Sequence, residues 1–149
     1  MTDNEIELIL TEKKICRIAF FDGKYPYIAP FQYVYENGTL YFHFTDYGKK
    51  KKILDKNKNV CVSIEDLEPD LSNFCFITIQ AELKEVTNQE EKNQIVEKMA
   101  SEGKNNFSPN FLSAHGLEKE KGWDLLKKQK EINLLRLVNV KKRIGLKSI

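Results

Sequence analysis

The chain has 149 residues, 41% of them hydrophobic and 31% charged, with a net charge of only +2. That length suits one domain burying roughly two-thirds of its unfolded surface, and the near-neutral balance excludes a chain built as a whole to bind polyanions. No run approaches the roughly 18 apolar residues of a membrane span, and MTDNEIELIL places acids ahead of its apolar residues, unlike a secretory or mitochondrial signal, so a cytoplasmic location is expected.

In chain order, Thr2-Asp3-Asn4-Glu5 has the form of a capping box, and Ile6, Ile9 and Leu10 follow at helical spacing. ICRIAFF (15–21), a turn at Asp22-Gly23-Lys24 and YPYIAPFQYVY (25–35) read as two strands. Asn37-Gly38 predicts a two-residue hairpin, since both turn positions need positive φ, and TLYFHF (39–44) is the return strand. KKKKILDKN (49–57) predicts an amphipathic helix of two to three turns. NVCVSIE (59–65) is a fourth strand, the acidic EDLEPDLSN (65–73) a loop, and FCFITIQAELKEV (74–86) a fifth strand. Thr87-Asn88-Gln89-Glu90 repeats the capping-box form, and Ile95, Val96, Met99 and Ala100 line one face of a helix ending at Gly103. Lys104 to Gly116 reads as an irregular connection, and Glu118 to Glu131 as a last helix with Trp123, Leu125 and Leu126. LLRLVNV (134–140) is the sixth strand and KKRIGLKSI (141–149) a basic tail. Six strands joined mostly by hairpins predict a single, mainly β domain: an antiparallel barrel or sheet with peripheral helices.

Cys16, Cys61 and Cys75 are odd in number, lack zinc or redox spacing and sit in apolar runs, so they read as packed free thiols. Four consecutive lysines follow a strand end and Gly48 at the start of a predicted helix, the wrong end of the macrodipole for cations. Two readings stand: a solvated helix face, with Lys49 and Lys52 on one side, or a cradle for an anionic group such as phosphate. On TLYFHF, Leu40, Phe42 and Phe44 form an apolar face, while Tyr41, His43 and Thr45 carry polar groups toward the lysines. His43 has no adjacent carboxylate, and with His115 it does not make a metal site. Nucleophile-elbow, Walker and dinucleotide motifs are absent. Aromatic residues crowd positions 20 to 47, a pattern shared with single-strand nucleic-acid platforms, but the basic excess of such domains is missing.

The order CRIAFFDGKYPYIAPFQYVYENGTLYFHF, DYGKKKKIL, NKNVCVSIE and ITIQAELKEV resembles the pyridoxamine-phosphate-oxidase-like family of FMN-binding split barrels, and its short members such as the nitroimidazole-resistance proteins. The resemblance covers about residues 15 to 100 and the last strand near Leu134 to Lys147. It implies a six-stranded antiparallel split β-barrel, a homodimer with FMN at the subunit interface, and electron transfer to a small acceptor. The family's phosphate-binding basic pair falls on Lys49 and Lys50; members often carry Arg first. The segment bordering the flavin ring falls on Tyr27, Ile28, Ala29, Pro30, Phe31 and Gln32, and on His43, Phe44 and Thr45 of the return strand. Cys75 occupies a position near the flavin, and Trp123, outside the matched region, is a candidate cover for the partner's flavin. The C-terminal LLRLVNVKKRIGLKS lacks the Arg-Leu-x-Pro ending that the resemblance associates with pyridoxamine-phosphate oxidation itself. A flavin carrier or sensor without turnover, a nucleic-acid-binding barrel, and a relative binding haem or a deazaflavin are the alternatives. Nucleic acid, membrane and metal are not among the expected partners.

Overall fold

A computed structural model describes residues 1–115, 118–128 and 132–148, the side chains of residues 114 and 115 excepted. The His115 side chain, Gly116, Glu131 and Ile149, named above, lie outside the described residues. Helix α1 (Asp3–Glu12) starts at the expected capping box, in which the Thr2 side chain accepts from the Glu5 N–H and the Glu5 carboxylate accepts from the Thr2 N–H. Strands β1 (Ile15–Phe21) and β2 (Pro26–Gln32) form a first hairpin, and β3 (Val34–Glu36) and β4 (Thr39–Phe44) a second. The second turns at Asn37 and Gly38, with φ of 50° and 74°. Helix α2 (Lys49–Leu54), β5 (Asn59–Leu67), β6 (Phe74–Glu85), α3 (Gln89–Asn106), two 3-10 turns (Pro109–His115 and Lys119–Lys121), α4 (Leu125–Lys128) and β7 (Asn133–Lys147) complete the order.

The strands form one antiparallel sheet in the order β2-β1-β5-β6-β7-β4-β3, seven strands rather than six. The additional strand arises because YPYIAPFQYVY is broken at Tyr33. Its N–H still extends the β1–β2 ladder by one rung, donating to the Lys14 carbonyl opposite it (3.0 Å), while the next residue, Val34, pairs with Tyr41 of β4; the Tyr33 ring is fully buried. β2 and β3, consecutive in the chain, thereby lie at opposite ends of the strand order, so the sheet curls round on itself as a split barrel. Alternation fills its interior with Cys16, Ile18 and Phe20 of β1, Phe42 and Phe44 of β4, and Ile77, Ile79 and Leu83 of β6. The opposite face of β4 and β7, with Tyr41 and Leu134, packs against α3 and Trp123 in a second core. Glu91 of α3 accepts from Tyr41 (2.8 Å) and Arg136 (3.0 Å), which are cross-strand partners, and so docks the helix.

Other boundaries moved for local reasons. β5 runs through Glu65 to Leu67, because Glu65 and Asp66 pair with Phe76 and Cys75 before the loop begins. α3 is capped by Asn88, whose side chain accepts from the Glu91 N–H (2.9 Å), and it continues past Gly103 to Asn106. The region expected to be one last helix is a 3-10 turn and a four-residue helix over its described part. The expected basic tail is strand: β7 continues to Lys147 beside β6, after a bulge at which Asn139 takes φ 50°. Arg143 and Lys147 there bind Glu7, Asp3 and Glu5, fastening α1 to the barrel.

Candidate functional site

The lysine run enters α2 after Gly48, whose φ of 90° suits a residue without Cβ. α2 has six residues, less than the two to three turns expected, and so short a helix has little macrodipole. The charge at this corner is therefore that of the side chains. Lys49 Nζ lies 4.9 Å from the Tyr27 ring centroid and Lys50 Nζ 4.8 Å from that of Phe31, contacts worth about 0.5–2 kcal/mol each. Helical spacing pairs Lys49 with Lys52, but long flexible stems let Lys49 and Lys50 both reach back to β2. Lys51 is paired with Asp55, and Lys52 is exposed. Among the described residues no carboxylate pairs with Lys49 or Lys50, and burial lowers the pKa of Lys50.

Pro30, Phe31 and Gln32 of β2, His43 and Thr45 at the end of β4, Lys50 of α2 and Phe111 line one notch of about 30 Å³. Phe31 anchors it to the barrel, its ring 4.7 Å from Phe44 and 6.0 Å from Phe42. Gln32 is 2% exposed; its amide nitrogen donates to the Met99 carbonyl of α3 (3.1 Å), and its Oε1 is buried without a hydrogen-bond partner among the described residues. The Thr45 hydroxyl donates to the Tyr47 carbonyl (3.1 Å), leaving its lone pairs available.

Burial holds the His43 imidazole at about 4, below its usual 6.5; Asp46 pulls it up and Lys50 adds to the depression. At neutral pH the ring is uncharged. Above 6.5 it is neutral in folded and unfolded chains alike and does not couple folding to pH. Between 6.5 and about 4 the unfolded chain takes up a proton that the folded chain refuses, so stability falls as pH falls. The loss is roughly 3 kcal/mol in total. Urea unfolding across that window is expected to show a shallower decline for His43→Gln than for the parent protein; equal slopes would show that His43 does not titrate on unfolding.

Of the other expected site residues, Tyr27 is half-buried beneath Lys49, Ile28 is 61% exposed, and Ala29 and Phe44 point into the barrel. Cys75 does not line this notch. It opens onto a separate concavity of about 470 Å³ between α1 and the β5–β6 turn, its Sγ 3.3 Å from Met1 Sδ. Trp123 is buried in its own chain, packed with Phe107 and Phe111 and against Gly103; it is not among the residues lining the notch, which Phe111 does line. Phe111 and the Met99 carbonyl are the contributors that sequence reasoning missed. Phe111 lines the notch and the Met99 carbonyl holds the Gln32 amide behind it, both by tertiary contact that nothing in the local sequence signals. Among the described residues no group of three or more His, Cys, Asp or Glu is placed to hold a metal, and no helix is long and apolar enough to cross a membrane.

The sequence matches the pyridoxamine 5′-phosphate oxidase family over residues 2–121. The chain belongs to this family. No curated protein matches the sequence. Among solved structures, a FAD-binding protein from Mesorhizobium loti is 17% identical, with 99% of this chain and 93% of that chain covered and a TM-score of 0.66. A candidate 5-nitroimidazole antibiotic resistance protein from Bacteroides thetaiotaomicron is 21% identical, over 97% and 82%, with a TM-score of 0.63. The haem storage protein HutZ from Vibrio cholerae is 17% identical, over 95% and 92%, with a TM-score of 0.67. At these identities the likeness establishes the split-barrel fold. The part of the chain that matches the pyridoxamine 5′-phosphate oxidase family contains every residue lining the notch, Phe111 included, and leaves Trp123 outside.

Proposed function

We propose that the chain binds FMN at this notch, as a cytoplasmic homodimer, and passes electrons from the reduced flavin to a small acceptor, nitroaromatic compounds being the first to try. The reading rests above all on one observation: the two lysines, which form no salt bridge among the described residues, lie against the same β2 segment that meets His43 and Thr45 at the notch. The residues suit such a cofactor. Lys49 and Lys50 would hold the phosphate as point charges, Pro30 and Phe31 offer an apolar wall, and Gln32, Thr45 and neutral His43 offer hydrogen bonds without adding charge. When bound, the flavin supplies the redox chemistry, so the chain needs no acid–base dyad of its own. A notch of about 30 Å³ has room for little more than a water; a second copy closing over it completes a slot for the ring. Cys75, on its separate concavity, has no part in holding the flavin at this notch in the single chain. Family membership and the FAD-binding neighbour support a flavin, and the nitroimidazole-resistance neighbour supports the choice of acceptor.

The absorption spectrum of purified protein after incubation with FMN is the test. Flavin bands retained through gel filtration, at one FMN per chain in a dimer-sized peak, are expected, together with NADH oxidation on adding a nitroaromatic acceptor. Colourless protein in excess FMN overturns the proposal, and yellow protein without turnover reduces it to a flavin carrier. A Soret band in place of flavin bands would favour haem, the reading that the Vibrio cholerae neighbour supports.

A further inference from the structure

The cationic corner accounts for an anionic tail but leaves open which edge of a bound ring lies deepest. Gln32 addresses that question. Its amide cannot flip without turning an oxygen toward the Met99 carbonyl, so the 3.1 Å bond from its nitrogen fixes which end is which. The remaining end, Oε1, accepts only. It is buried, has no hydrogen-bond partner among the described residues, and belongs to a residue lining the same notch as Lys50 and His43. A buried acceptor left unmade is unfavourable, and a donor arriving with a ligand relieves it. Of the other polar side chains at the notch, Lys50 only donates; the Thr45 hydroxyl, its proton given to the Tyr47 carbonyl, can also accept but is only half-buried and exposed to water's competition, whereas Oε1 is fully buried.

We infer that Gln32 Oε1 is a specificity-determining acceptor for a ring N–H, so that the imide edge of a flavin, with its N3–H, turns toward β2 and α3 while the phosphate lies at Lys49 and Lys50. This rests on the flavin reading above and sharpens it: the notch selects a phosphorylated heteroaromatic carrying an imide or amide N–H, and disfavours rings without one. Because Oε1 is buried, binding includes a parting of the notch wall to admit the donor.

The test pairs a change in the ligand with a change in the protein. FMN and 3-methyl-FMN, in which a methyl group replaces the N3 proton, are titrated against the parent protein and Gln32→Leu by quenching of flavin fluorescence. The parent is expected to bind 3-methyl-FMN roughly tenfold or more weaker than FMN, as for loss of one hydrogen bond to a buried group. Gln32→Leu should bind FMN weaker by a similar factor and should no longer distinguish the two flavins. A parent protein that binds both flavins equally overturns the inference without recourse to any variant and leaves the flavin reading standing. Undiminished discrimination by Gln32→Leu overturns it too, since the methyl group would then act by bulk alone. Failure of the parent to bind FMN at all removes both.

Discussion

Replacing Lys49 and Lys50 together by alanine is expected to weaken FMN binding by about a hundredfold or more, since hydrogen bonds to a charged partner contribute about 1.5–3 kcal/mol each. Replacing Lys51 and Lys52 removes the same formal charge but should change affinity by no more than about threefold, the scale of a screened surface field. The difference follows from where the ammonium groups go. Lys51 is committed to Asp55, and Lys52 is exposed, whereas Lys49 and Lys50 lie over the aromatic rings of β2, Phe31 being a wall of the notch. Those ring contacts hold the two stems in place before any anion arrives, which reduces the side-chain entropy lost on binding. Isothermal titration of both double variants with FMN, at low and at high salt, separates the cases. Equal losses in the two variants, both fading with salt, would mean that the run acts only through its summed charge.

Gly103→Ala is expected to destabilise the fold by roughly 2 kcal/mol, against the direction of helix propensity. In an exposed helix that exchange gains about 1 kcal/mol. Here a Cβ would fall 2.3 to 2.5 Å from three ring atoms of Trp123, and the indole is hemmed in by Phe107 and Phe111. A rigid bicycle among other rings has no rotamer to escape into, so overpacking outweighs propensity. Combining the change with Trp123→Leu isolates the contact. In that background Gly103→Ala should be neutral or stabilising, and the cycle should show a coupling of about 2–3 kcal/mol by urea unfolding. An unchanged penalty would place the strain elsewhere in α3. Because Phe111 touches Trp123 and also lines the notch, the single variant is expected to perturb flavin affinity as well, and the double variant less so.

Gly103 also shows where the sequence misleads. A glycine after an apolar helical stripe is a common stop signal, and only the tertiary position of Trp123, 20 residues later, reveals it as a place of close approach. The hairpin at Asn37-Gly38, the alternation of β1, β4 and β6 and the capping box of α1 were legible because each is a local device, decided within a few residues. The break at Tyr33 was not. YPYIAPFQYVY carries no turn residue where the chain leaves one end of the strand order for the other: Tyr33 makes the last rung to β1, at Lys14, and Val34 immediately after it pairs with Tyr41 of β4. The site divides in the same way. His43, Thr45, Lys50 and the β2 segment could be named from the chain, because they flank the hairpin and the lysine run. Phe111 and Met99 could not, and the periodicity that paired Lys49 with Lys52 describes where α2 points its Cβ atoms, not where four-carbon stems come to rest.

The passage through Tyr33 has a mechanical consequence. Among the described residues the backbone ladder joins neighbours in the order from β2 round to β3, and none of its rungs links β2 to β4. The two lips on either side of that gap are held by ring contacts, Phe31 against Phe42 and Phe44, and by the covalent chain itself. Such a mouth can gape by sliding aromatic surfaces without rupturing a single interstrand amide bond, yet it cannot unroll, because the peptide through Tyr33 tethers both lips like a drawstring.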